Sequence, residues 1–196
     1  MERGGAEAPP RNRLPAPRTL GMAALVLLPF FGLWLHGRLE RNRIEGRAAT
    51  VASAIAGRPV AVRCPGPFKR HFFYETTEGS VRFDGSERPV DETQLSFRTC
   101  DGLKTAMDRG AGLDLDCLYY NCPKDVRQAA AAMAVLAHES VHLRGVLDER
   151  QTECEAHTHI ALVGRRYGLT DRAIASLAHW QATDWAETLP DRYQGC

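Results

Sequence analysis

The chain has almost no net charge to offer a polymeric partner. Its 25 Lys and Arg are offset by 24 Asp and Glu, for a net charge of +1. That balance gives no reason to expect a nucleic acid or an acidic polymer as partner. The six cysteines include no CxxC pair, which argues against a cysteine metal cluster, and none of them precedes Cys64. No internal repeat is apparent. Long apolar runs are also scarce: the longest uncharged one, residues 20–35, has sixteen residues, slightly short of the ~20 that span a bilayer. At 196 residues and 44% hydrophobic content, the chain can bury one hydrophobic core and no more.

Even so, the run LGMAALVLLPFFGLWL reads as a single membrane anchor, kinked at Pro29 and with Trp34 and His36 at the interface. A cleaved signal peptide is the alternative. The flank after Leu35, with Arg38, Glu40, Arg41 and Arg43, makes a poor cleavage site, and Ala52-Ser53-Ala54 lies well beyond the run. Arg3, Arg11, Arg13 and Arg18 before the run balance Arg38, Arg41, Arg43 and Arg47 after it, so charge does not set the orientation. Cysteine does. All six thiols follow the run and their number is even, which suits disulfides in an oxidising compartment. The expected location is the cytoplasmic membrane, single-pass, with the C-terminal part extracytoplasmic; secretion is the alternative. The expected organisation is a disordered tail at 1–19, a transmembrane helix at 20–36, a juxtamembrane helix or linker at 37–57, and one domain at 58–196.

Within that domain, residues 58–64 alternate and read as a half-buried strand ended by Pro65-Gly66-Pro67. Residues 72–76 and 80–83 read as a hairpin turning at Glu78-Gly79, and residues 93–97 as a further strand. Residues 100–108 read as a short helix, and 113–120 are ambiguous between strand and loop. Three helices follow. The second begins near Asp148, a good N-cap, and stops at Gly168; the third begins at Thr170-Asp171 and ends before Pro190. That third segment spaces Ile174, Leu177, Ala178, Gln181, Trp185 and Leu189 at helical intervals. Trp180 and Trp185 read as packing residues. Cys117 and Cys122 can close a small loop, and Cys196 can pin the C-terminus, with Cys154 as a possible partner.

The first of the three helices carries the chemistry. Residues 128–137 hold six Ala with Met133, Val135 and Leu136, uninterrupted by Gly or Pro, so they are strongly helical. His138-Glu139-Ser140-Val141-His142 follows, the HExxH pattern. At i and i+4 the two imidazoles share a helix face and can hold one Zn²⁺. Glu139 is then placed to act as general base on a zinc-bound water. Zinc needs a third protein ligand, for which Asp148, Glu149, Glu153 and His157 are the candidates. The short connection after His142 implies an antiparallel helix hairpin. Glu149 and Glu153, four apart, share a face, so that one can ligate while the other hydrogen-bonds a ligating imidazole. His157, His159 and Tyr167 read as structural.

HESVH followed by Glu149-x-x-x-Glu153 resembles the gluzincin class of zinc metallopeptidases, which implies Glu149 as ligand and Glu153 as support. Glu153-Cys154-Glu155-Ala156 is similar to the ExxA pattern of other HExxH peptidases, which implies Glu153 as ligand. HESVHLRGVLD, residues 138–148, is similar to the HExxHxxGxxD string of snapalysin-like peptidases, which implies Asp148. The stretch also looks like membrane-anchored or secreted bacterial metallopeptidases. These likenesses cover residues 130–160 only. The expected fold is α+β: the N-terminal anchor, a small antiparallel sheet, then a helical zincin-like HExxH hairpin. The expected function is a zinc metallopeptidase acting on a peptide or protein substrate. The alternative is a non-catalytic, membrane-tethered zinc-binding module on the same scaffold.

Overall fold

The computed structural model describes residues 17–66, 77–193 and 195, with side chains from residue 31 onward. It divides into two compact units at Leu39/Glu40. Helix α1 spans Pro17–Ala56. Three short strands follow: β1 (Ala61–Arg63), β2 (Gly79–Phe83) and β3 (Pro89–Leu95). The helices that follow are α2 (Phe97–Arg109), α3 (Lys124–His142), α4 (Glu149–Arg166), α5 (Asp171–Trp180) and a last turn α6 (Ala186–Thr188). A π turn, Gln181–Trp185, joins α5 to α6, and Asp191–Tyr193 form a final 3₁₀ turn.

Two expectations are corrected. The first is the fold class. The described residues are mostly helical, and the one small sheet among them is mixed rather than antiparallel, in the order β1-β3-β2. β2 and β3 do form an antiparallel hairpin, but β1 lies parallel to β3, with Val62 opposite Thr93. A parallel neighbour needs a long crossover rather than a tight turn, and the chain between β1 and β3 supplies the length. The hairpin turns at residues 84–88, where the Asp84 carboxylate accepts from the Ser86 and Arg88 amides. The expected strand at 72–76 lies outside the described residues.

The second correction is the anchor. No described helix is long and apolar enough to cross a membrane, so a single-pass location in the cytoplasmic membrane is unsupported. The helix itself is 40 residues long, but its apolar run ends after sixteen residues in a flank studded with arginine, and a spanning segment needs more. Residues 17–19, expected to be disordered, belong to α1. Within the second unit, Ile44, Ala48, Val51, Ala52 and Ile55 on α1 are buried, the apolar stripe of an amphipathic helix.

The core is built around α3. Its alanine run is almost wholly buried, and that is what small side chains permit: α2 lies close enough that a Cβ on Gly102 would stand 2.4 Å from the Gln128 carbonyl oxygen and 2.6 Å from the Ala132 Cβ. Ser96 caps α2, accepting from the Thr99 amide, and Asp148 caps α4, accepting from the Gln151 amide. α3 ends at His142. The chain then turns through Gly145, whose φ of 102° suits glycine, and enters α4. Cys64–Cys100 ties the end of β1 to α2, and Cys117–Cys122 closes the small loop expected of it. Cys154 is also disulfide-bonded; the bridge suggested for Cys196 falls on a residue outside those described. These disulfides are compatible with an extracellular protein.

Candidate metal centre

The buried α3 brings His138 and His142 to the same face one turn apart, with ring centroids 4.8 Å from each other. α4 runs back alongside. Stepping one turn back along α3, from His142 to His138, steps one turn forward along α4, from Glu149 to Glu153. That is the antiparallel hairpin expected from the short connection.

Each imidazole is fixed through Nδ1. His142 Nδ1 lies 2.7 Å from the carbonyl oxygen of Val146. A carbonyl only accepts, so Nδ1 carries the proton and donates it. His138 Nδ1 lies 2.8 Å from Glu153 Oε2. Burial favours a neutral Glu153, but the hydrogen bond from His138 and the nearby His157 ring outweigh it and hold the carboxyl well below its usual range. Glu153 is therefore ionised and accepting. Gln181, wholly buried on the π turn, reaches its other oxygen at 3.4 Å. Burial also pushes His138 down, but the bond to Glu153 and the charges of Glu139, Glu153 and Glu149 leave it above its ordinary value.

With the protons on Nδ1, both Nε2 atoms present lone pairs. They face the same atom: Glu149 Oε2 is 3.1 Å from His138 Nε2 and 3.1 Å from His142 Nε2. Three acceptors thus converge, and all three lie within 4.8 Å of one another. Such a cluster needs a proton or a cation at its centre. Donors about 2.1 Å from a shared tetrahedral ion stand about 3.4 Å apart, close to the separations from Glu149. The residues fit a metal ion, and His138, His142 and Glu149 can hold one. Two imidazoles and a carboxylate suit several divalent transition metals.

Glu139 points elsewhere. It is buried, its Oε2 has no hydrogen-bond partner among the described residues, and its carboxyl is pushed up to about 7 by burial, with the charge of His138 opposing and that of Glu149 assisting. β2 lies directly against it. A Cβ on Gly79 would come within 2.7 Å of the Glu139 Cγ and Oε1, so only glycine leaves the carboxylate room. Glu139 and His138 open on a cleft of about 320 Å³, walled by Thr77, Val135, Trp185 and Tyr193. The Tyr193 ring is 5.6 Å from that of His138, and Phe83 meets His142 edge-on at 6.1 Å.

Of the four acidic candidates for the site, Glu139 and Glu153 line the cleft and Glu149 joins the imidazoles. Glu153 sits on the far side of His138, and Asp148 is used as the α4 cap. His157 lies behind Glu153, its Nε2 3.3 Å from Glu153 Oε1. Sequence reasoning missed Gly79, Gln181 and Tyr193. Gln181 left a trace, a polar residue at an apolar position of the last helix pattern. Gly79 left a misleading one, since it read as a turn. Tyr193, beyond Pro190, left none. No family model, curated protein or solved structure matches the chain.

Proposed function

We propose that this protein is a zinc-dependent hydrolase of peptide bonds. The observation that carries the reading is the acceptor-only convergence of His138, His142 and Glu149 beside the buried carboxylate of Glu139, whose Oε2 is unpartnered among the described residues. Two His and one carboxylate with a further position open is a common catalytic zinc set. When bound, zinc would supply the acidified water and the electrophile for a carbonyl. His138 and His142 would hold the ion through neutral Nε2 atoms, and Glu149 through Oε2. Glu153 and the Val146 carbonyl keep both rings turned that way.

Glu139 takes a proton from the attacking water and returns it to the leaving amine. A carboxyl whose pKa sits near 7 in the metal-free protein does both near neutral pH. β2 stands at the edge of the sheet among the described residues. Its outer backbone groups, next to Gly79 and Glu139, suit an extended peptide that pairs as a further strand. The likeness of residues 138–153 to gluzincins agrees with this reading.

The test is metal analysis and peptide hydrolysis on the purified full chain. One zinc per chain is expected, lost in His138→Ala. Glu139→Gln is expected to keep the zinc and lose 10²–10⁴-fold in hydrolysis of a peptide library, the range a positioned acid–base group contributes. Stoichiometric zinc with no hydrolysis by the wild type would leave a metal-holding module instead.

A further inference from the structure

A second cleft adjoins the first. It has a volume of about 340 Å³, at the small end of the roughly 300–1,000 Å³ typical of ligand pockets. The two share Glu78, Val135 and Trp185 as common wall. The floor is apolar: Ala131 and Val135 from α3, with Trp180 and Trp185 stacked at a tilt, 5.4 Å between ring centroids. The rim is basic. Arg98 comes from the start of α2, and Lys124 and Arg127 from the start of α3. Arg98 makes one loose pair with Glu78, at 3.6 Å, on the common wall. Lys124 and Arg127 make no ion pair among the described residues, although the chain has nearly one acid for every base. The rim also lies at the positive end of the α3 dipole.

The path between the clefts follows one face of α3. Val135, Ala131 and Arg127 recede from Glu139 one turn at a time. At a rise of about 1.5 Å per residue, Arg127 lies about 18 Å along the helix from Glu139. An extended peptide advances about 3.3 Å per residue and covers that length in five or six residues. An apolar side chain two or three residues from the bond at Glu139 falls over the tryptophan floor. A group two or three residues further falls among the three cations.

We propose that the second cleft is the selectivity site of the peptidase, on whose assignment this inference rests. It takes a large apolar side chain on Trp180 and Trp185 and a carboxylate, from a side chain or a chain end, on Arg98, Lys124 and Arg127. The substrate class is a peptide that carries an aromatic or large aliphatic residue followed or preceded within about three residues by an acid.

The test measures binding to the full, zinc-loaded chain carrying Glu139→Gln, so that bound peptide stays intact. Three labelled peptides each carry one Phe. The first has Glu three residues away and an amidated end, the second Gln there and an amidated end, and the third ends at that Gln with a free carboxylate. Each is made in both chain directions where its design allows. At least one carboxylate peptide is expected to bind about tenfold more tightly than the neutral amide, and which one does so identifies the source of the carboxylate. Adding Lys124→Glu and Arg127→Glu, both exposed, is expected to erase that preference and leave the neutral peptide within about twofold. Equal binding of all three peptides, no binding at all, or a preference unchanged in the charge-reversed variant would overturn the proposal. Wild-type hydrolysis separates the two claims. Cleavage without acid preference removes the selectivity site alone; acid-selective binding without cleavage removes the peptidase alone.

Discussion

Glu149 and Glu153 are the same residue type on the same helix face, and the structure gives them different work. Glu149 meets both Nε2 atoms; Glu153 meets Nδ1 of His138 alone. On the proposed assignment, Glu149→Gln is expected to lower zinc affinity by more than 100-fold, because a ligand goes. Glu153→Gln should lower it only ten- to hundred-fold, the usual cost of losing the partner that orients a ligating histidine. Competition with a chromophoric chelator measures both. The reverse order would make Glu153 the ligand. That His138 and His142 share one face was legible because it depends on spacing along one helix. The choice between Glu149 and Glu153 was not, because it depends on which ring nitrogen each meets, and that follows from how α4 packs against α3. Asp148 shows the same limit: its capping role and a ligand role read alike in sequence.

Among the elements, the helices were legible and the sheet much less so. The alanine run and the Asp148 cap follow from local propensity and capping chemistry. The last helical stretch has the expected extent, but it is not α-helical throughout. It gives way to a π turn at Gln181, the residue that reaches back to Glu153, and such turns often mark functional sites. Glu78-Gly79 read as a hairpin turn, yet the hairpin turns at Asp84-Gly85; Gly79 is needed where β2 meets Glu139. A glycine demanded by a distant side chain and one demanded by a turn look alike in sequence. The meeting of α2 and α3 yields a stability prediction. Gly102→Ala would push a methyl against the Gln128 backbone and the Ala132 side chain. A loss of about 1–3 kcal/mol is expected, as for overpacking elsewhere, seen as a lower denaturation midpoint. Zinc stoichiometry should be unchanged, since no ligand moves.

For the molecule as a whole, a metal bound as proposed and the protons on the same residues would act in opposite senses on stability. Zinc would join α3 to α4, so at a hundredfold excess over its dissociation constant it is expected to add about 2.7 kcal/mol. For 150–250 residues each kcal/mol moves the melting temperature by about 2–4 °C, so a chelator should lower it by about 5–11 °C, reversibly, and leave His142→Ala unmoved. The pH dependence follows from His138. Its pKa in the folded, metal-free protein is raised above 6.5, so its charged pairing with Glu153 stabilises fully below 6.5 and is lost as pH rises through the folded value. Metal binding needs the neutral ring and strengthens over the same range. The metal-free protein should thus lose stability from pH 6 to 8 while the zinc-dependent gain grows. The gap between the two melting temperatures is expected to widen with pH, and scanning calorimetry at pH 6, 7 and 8 with zinc or chelator measures it. A gap constant across that range would mean that zinc binds without displacing a proton from His138, contrary to the convergence of both Nε2 lone pairs on Glu149.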